Sequence, residues 1–404
     1  MGSTLVVLHS AQSANDLLDK CSSIYSDRTG STMLVDEQLF DWGNGVLITG
    51  YGERFRAHRR ILNAWLNKNA SAAFHATQVF HSRQLLQRTT ASAVVSAIYG
   101  YEVTSLEDPF VAQIRAAVEN ISKAILPTNF VVNIMPFLVH VPSWVPGTGW
   151  KQTAKEWREH KEKAVEDIYQ WTCDQIAKGT AKPSIVQSVL REYEGKELPE
   201  EEKDNIKQVA FALFGARLFD NIAGADTTEG SLMAFVIAML IFPEVQDKAQ
   251  AEIDQIVGHD RLPEMSDLDQ LPYLKNLVQE LLRWQPVLPL GVAHTCSQDN
   301  TYMGYFIPKG AIVMGNMWAM SRDENLYKNP EVFDPDRFLD PSVPPAPAFG
   351  WGRRKCPGSH YAEAMLHISI ASILATFRIS RAKDLEGKED IPSTQGAASS
   401  SVFL

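Results

Sequence analysis

The chain has 404 residues, 45% hydrophobic and 21% charged, with a formal net charge of −10. This is ordinary globular composition, neither disordered nor fibrous, and the acid excess argues against a nucleic-acid partner, which needs a basic footprint. The length would allow two or three domains. Pro, Gly and Ser are scattered, however, and no linker stands out, so a single domain over 1–404 is expected, able to bury a bulky cofactor.

Leu5–Leu8 reads as a short strand, and Ser10 as the N-cap of a helix reaching about Asp19. Residues 51–66, 74–99 and 108–126 have helical spacing, after which Pro127, Pro136, Pro142 and Pro146 leave loops and short pieces. Residues 150–177 predict a charged amphipathic helix anchored by Trp150, Trp157 and Trp171. A long helix is expected from about Glu200 to Ile241, ending before Pro243, and another over 243–257 stopped by Gly258. Leu274–Trp284 is a short helix stopped by Pro286. Residues 300–315 alternate, with turns at Gly304 and Pro308-Lys309-Gly310, and predict a hairpin. Asp334–Pro347 is a proline-rich loop, and Cys356–Phe377 a final amphipathic helix. There is no internal repeat. The fold class is mainly α with a small β portion.

Cys21, Cys173, Cys296 and Cys356 have neither zinc-like nor redox-motif spacing. A chain of this length does not call for a disulfide framework, so reduced thiols in an intracellular setting are expected. Leu5–Leu8 is too short for a signal core or a membrane span. The apolar stretch Ile206–Phe242 is interrupted by Arg217, Asp220, Asp226 and Glu229 and reads as a buried helix of a soluble protein. Two basic clusters, Arg54-Arg56-Arg59-Arg60 and Arg353-Arg354-Lys355, are either solvated surface charge or a local basic face.

The sharpest signal is Phe349-Gly-Trp-Gly-Arg-Arg-Lys-Cys-Pro-Gly358. A cysteine stands among glycines just ahead of a helix, whose N-terminal N–H groups favour the thiolate. Gly352 and Gly358 permit a tight turn and close approach to a flat ligand. Arg354 can pair with a carboxylate on that ligand, and Phe349 would shield the sulfur from water. The alternative is a buried, inert cysteine. The segment is similar to the Phe-x-x-Gly-x-Arg-x-Cys-x-Gly signature of the cytochrome P-450 family. Five fixed positions match, and average residue frequencies make a chance match on the order of 1 in 10,000.

Ala223-Gly-Ala-Asp-Thr-Thr228 breaks helix rules in the middle of the long helix. It resembles the family's oxygen-activation motif. The resemblance implies that Ala223 and Gly224 let the helix pass close to a heme, while Asp226 and Thr227 relay protons to the dioxygen being cleaved. A kinked core helix with back-bonded threonines is the other reading. Glu280-Leu-Leu-Arg283 puts an acid and a base on one helix face. By itself that is a surface ion pair of little worth. In the family the pair joins a later arginine, here Arg337, in a buried network bracing the cysteine loop. Arg59 matches a heme-propionate contact, with Phe55 where the family usually has Trp. His294 resembles another such contact, against the reading of a satisfied core histidine.

The resemblance extends through Tyr25-Ser-Asp-Arg28, Val141–Gly147, Arg261-Leu-Pro263, Leu271–Leu274 and Tyr305–Gly310, and looks like the fungal microsomal branch. It implies one P-450 domain with heme b between the long central helix and the Cys356 loop with its final helix, Cys356 being the axial ligand. It implies a monooxygenase acting with dioxygen on a hydrophobic small molecule. Electrons would come from NADPH through a flavoprotein reductase, with cytochrome b5 as a second donor. The family is anchored in the endoplasmic reticulum membrane. The anchor and the final hairpin are expected outside this sequence, leaving a soluble or peripheral chain with a poorly ordered tail over 381–404. A heme-binding chain without turnover, and a heme-thiolate isomerase or dehydratase, are the alternatives.

Overall fold

Proline at the first position of a helix gives up only an N–H that has no intrahelical partner there, and Pro243 and Pro272 both open helices in this way. The computed structural model describes residues 4–28, 30–72, 75, 78–79, 95–96, 98–103, 108–125, 129–193, 198–218 and 225–381. Ala223, Gly224, the tail after Arg381 and most of the helix expected over 74–99 lie outside the described residues. Strand β1 (Leu5–Leu8) precedes helices α1 (Glu53–Leu66), α2 (Pro109–Ile125), α3 (Gly149–Ala177), α4 (Glu200–Leu218), α5 (Ala225–Ile241), α6 (Pro243–Ile256) and α7 (Pro272–Trp284). Strands β2 (His294–Thr295), β3 (Asn300–Tyr302), β4 (Tyr305–Ile307) and β5 (Ile312–Gly315) follow, then α8 (Ser359–Thr376). The fold is mainly α with a small β portion.

The chain divides into two compact units. The first comprises Met1–Ser26, Leu66–Arg88 and Asp226–Val402; the second comprises Asp27–Trp65, Thr89–Ala225 and Phe403–Leu404.

In the first unit α5, α6, α7 and α8 share one core, with Phe235, Ile253, Leu277, Leu281, Leu366 and Ile370 among its buried residues. The Glu252 carboxylate of α6 accepts from the N–H groups of Tyr273 (2.8 Å) and Leu274 (2.9 Å), capping α7 from a neighbouring helix. From Tyr361 to Ala375 no residue of α8 is exposed. The final helix is therefore a core helix rather than an amphipathic one, and it begins three residues after Cys356.

The expected 300–315 hairpin is shorter than predicted. β3 and β4 pair antiparallel, Thr301 opposite Phe306. Met303 (φ +51°) and Gly304 (φ +85°) make the two left-handed residues that a tight hairpin turn requires. Gly310 (φ +83°) then turns the chain away. β5 instead pairs parallel with β1, Leu5 opposite Ile312, and antiparallel with β2, His294 opposite Val313. The N-cap at Ser10 forms, its hydroxyl accepting from the Ser13 N–H at 3.1 Å. After Ala14 the helix widens into a π segment, Asn15–Lys20, with Leu17 and Leu18 buried. Burying a leucine side chain contributes about 2 kcal/mol, which offsets the poorer hydrogen bonding of that form.

In the second unit α2, α3 and α4 carry the core. Asp108 caps α2, accepting from the Phe110 N–H at 3.1 Å. Trp157 packs edge-on against Phe40 and Phe130, and Trp171 against Tyr101, so these two tryptophans anchor α3. No single described helix is long and apolar enough to cross a membrane.

Candidate functional site

The cysteine loop is held from within and from below. The Cys356 N–H donates to the Phe349 carbonyl at 2.8 Å, and that of Lys355 to the Gly352 carbonyl at 3.1 Å. The Cys356 side chain is exposed, and none of the four cysteines forms a disulfide. Gly358 stands at the N-cap of α8 with an ordinary φ of −87°. A Cβ placed there would lie 3.9 Å from Cys356 Sγ, so the sulfur sits beside a helix N-terminus. Fixed N–H dipoles at that end favour a thiolate over a thiol.

The left-handed positions are Gly350 (φ +73°) and Gly352 (φ +53°). Gly352 also has a packing constraint, because a Cβ there would come within 2.3 Å of the Leu18 carbonyl oxygen. Its close approach is thus to the backbone of the π segment. Gly352→Ala is expected to lower the melting temperature far more than Gly350→Ala, where nothing lies within 4 Å. The latter should show only the left-handed strain of about 1–2 kcal/mol. Equal losses would mean that the Leu18 contact relaxes freely.

Glu280 and Arg283 of α7 are both fully buried. Arg283 donates bidentately, Nε to Oε2 at 2.7 Å and Nη2 to Oε1 at 2.8 Å. Arg337 Nε donates to the same Oε1 at 3.0 Å, and so does the Asp334 N–H at 2.8 Å. The excess positive charge is spread over carbonyls: Arg283 Nη1 reaches Ser321 at 2.8 Å and Arg337 Nη1 reaches Lys328 at 2.7 Å. Arg283 also lies over the Tyr327 ring at 5.4 Å, and burial pushes that phenol up to about 12. The structure thus brings the three network residues together.

Thr227 is half-buried near the start of α5, and its carbonyl accepts from Ser231 Oγ at 2.5 Å. Asp226 belongs to the same first turn. Gly230 lets α5 approach the chain after α7, since a Cβ there would meet Val287 Cγ1 at 3.1 Å.

His294 is buried in β2, with Nδ1 2.7 Å from the Tyr25 carbonyl. A carbonyl can only accept, so Nδ1 carries a proton. Arg354 Nε donates to the Ser26 carbonyl at 2.8 Å. Arg59 lies half-buried on α1, in the second unit, beside buried Phe55. Of the basic clusters, Arg54 pairs with Asp204 at 3.0 Å, whereas Arg353 and Lys355 are exposed beside Cys356. Gly350, Leu18 and the 24–26 carbonyls were not singled out from sequence, where only the left-handed glycine left a signal.

Two further titratable groups lie on α8. His367 Nδ1 donates to the Glu363 carbonyl at 2.6 Å, and burial pulls its pKa below 6.5. Burial raises Glu363 above 4.5. A histidine with a lowered folded pKa binds fewer protons when folded, so its stabilisation is complete above 6.5 and is lost as pH falls from there toward the folded value. Glu363 acts oppositely. In a Glu363→Gln background, melting temperature should fall on acidification below pH 6.5, and His367→Gln should flatten that slope. A slope unchanged by His367→Gln would assign the dependence elsewhere.

A family model described as Cytochrome P450 matches residues 1–401. Cytochrome P450 monooxygenase 98 of Postia placenta is 35% identical, over all of this chain and 80% of that protein. Cytochrome P450 monooxygenase ple1 of Rhodocybe pseudopiperita is 37% identical, over 98% of this chain and 78% of that protein. A zebra fish cytochrome P450 structure with abiraterone superposes with a TM-score of 0.71 over 96% of this chain and 89% of that one; at 22% identity it speaks for the fold alone. On the motif geometry, the family match and these relatives together, the chain belongs to the cytochrome P450 family, as a monooxygenase of the fungal type.

Proposed function

We propose that residues 1–404 work as one cytochrome P450 domain that inserts one oxygen atom of dioxygen into a hydrophobic small organic molecule. The observation carrying this reading is the exposed Cys356 thiol at the N-terminus of α8, on a loop seated through Gly352. These residues fit a heme: a soft sulfur donor beside helix N–H dipoles is the chemistry that thiolate ligation of iron needs. Bound there, heme supplies the redox chemistry that cleaves dioxygen and oxidises the substrate.

The remaining tasks fall to the chain. Cys356 Sγ would hold the iron, Phe349 would shield the sulfur once heme covers it, and Gly358, at the N-cap, starts the helix that stabilises the thiolate. Arg59, His294 and Arg354 bind the propionates. Ala223 and Gly224, outside the described residues, are by resemblance the small residues that would leave room for the heme. The Asp226 carboxylate and Thr227 Oγ1 would hold and pass the protons that dioxygen cleavage needs. Glu280, Arg283 and Arg337 brace the loop. Electrons come from NADPH through a flavoprotein reductase steered by exposed Arg353 and Lys355, with cytochrome b5 as a second donor, at the endoplasmic reticulum membrane.

The carbon monoxide difference spectrum of the dithionite-reduced protein tests the reading. A strongly red-shifted Soret band supports it; a band typical of a neutral ligand, or none, overturns it. Thr227→Ala should then lower both the rate of product formation, by up to the roughly 10²–10⁴-fold that a positioned proton donor contributes, and the yield of product per NADPH. Unchanged coupling would leave this threonine a structural role.

A further inference from the structure

Three consecutive carbonyls near the N-terminus each accept from a distant part of the first unit. Ile24 O takes the N–H and hydroxyl of Ser297, both at 2.9 Å. Tyr25 O takes His294 Nδ1 at 2.7 Å. Ser26 O takes Arg354 Nε at 2.8 Å. The last two donors come from β2 and the cysteine loop, sixty residues apart in sequence, yet adjacent carbonyls set both. A bond through Nε fixes the plane of a guanidinium, and a bond through Nδ1 fixes the face of an imidazole.

The orientation of the comb is itself tethered. Tyr25 is fully buried, and its hydroxyl accepts from Asn300 Nδ2 at 2.8 Å. Asn300 begins β3, five residues beyond the end of β2. The tyrosine ring therefore bridges from the carbonyl segment to the start of the hairpin following β2. On the far side, Leu18 O lies against Gly352, so the same N-terminal stretch touches the cysteine loop twice.

We propose that Tyr25, clamped by Asn300, is a positioning residue that aims the His294 imidazole and the Arg354 guanidinium together at the propionates of the heme. This rests on the heme-thiolate reading above. Tyr25 touches no reacting group; it acts through its own carbonyl and that of Ser26.

The test compares natural heme with heme dimethyl ester, whose propionates are uncharged, in the chain of residues 1–404. The unmodified protein should release the ester faster into excess apomyoglobin. Tyr25→Phe removes one oxygen and keeps the ring packed. It should speed release of natural heme by about fivefold, the worth of one hydrogen bond, and leave release of the ester nearly unchanged. Asn300→Ala should do the same, and the double variant should be no worse than either single one. A merely structural defect would speed both ligands equally, and that outcome overturns the proposal, as does an unchanged release of natural heme in both variants. Should Tyr25→Phe fail to fold, Asn300→Ala, a change at a half-buried position, decides alone. Absence of a thiolate-type carbon monoxide band in the unmodified protein would instead refute the underlying heme reading, so the two failures are distinguishable.

Discussion

Cys356→Ala abolishes the red-shifted carbonyl-heme band while leaving the polypeptide folded. The expectation has two parts because the residue has two kinds of neighbour. Its backbone N–H bonds to Phe349 O regardless of the side chain. The residue is exposed and belongs to no core cluster, and exposed positions outside caps, cores and strained turns generally change stability by less than about 0.5 kcal/mol. The substitution thus removes the donor and little else. Circular dichroism should show the helix content preserved, and heme content should fall. Cys356→His should retain some heme but move the band to the position of neutral-ligand hemes. Survival of the red-shifted band in the alanine variant would place the iron ligand elsewhere.

Glu280→Gln is expected to produce a large loss of stability. The carboxylate accepts four hydrogen bonds, three on Oε1 and one on Oε2. It is also the counter-charge of two buried arginines: Arg337 has 5% of its side chain exposed and Arg283 none. Removing one member of a buried ionic group costs about 3–5 kcal/mol, because the charges left behind are out of water. That is a large share of a typical folding free energy, so the variant should be recovered poorly and melt many degrees lower. Lys248→Ala is the control: its 2.6 Å bond to Asp336 is on the surface, with the lysine 58% exposed, and water screens such a pair so that it contributes little. Similar melting temperatures for the two variants would mean that Glu280 is dispensable to the network.

The parts of the site that were readable from sequence are those whose chemistry is local. Cys356, the glycine turn and the following helix are within ten residues, and Glu280 and Arg283 are one helical turn apart. Pro243 and Pro272 mark helix starts because the constraint is in the residue itself. What escaped the sequence depends on contacts made across hundreds of residues. β5 alternates like the second arm of a hairpin, and nothing local reveals that its partner is β1. The requirement for Gly352 is shared between its φ and a carbonyl at Leu18. The partner of His294 Nδ1, the Tyr25 carbonyl, lies 269 residues away, and no local pattern marks it. The π segment likewise has no residue that demands it.

The pairing of the first strand with β5, and the contacts from the 18–26 stretch to His294, Gly352 and Arg354, join the two extremes of the described chain. Arg354 follows Ser26 by 328 residues. At about 5–20 residues per second, a ribosome needs roughly 15–65 s to supply the second partner after the first. For most of that interval, until residues 294–320 have been made, the Ile24 and Tyr25 carbonyls and the buried Leu17 and Leu18 lack their distant partners, and the Ser26 carbonyl waits longest, for Arg354. Unit one therefore closes late, and the cysteine loop is among the last pieces to find its seat. Pairing of such long sequence separation makes this a slow-folding topology, whose rate is set by closing the long loop rather than by forming the helices.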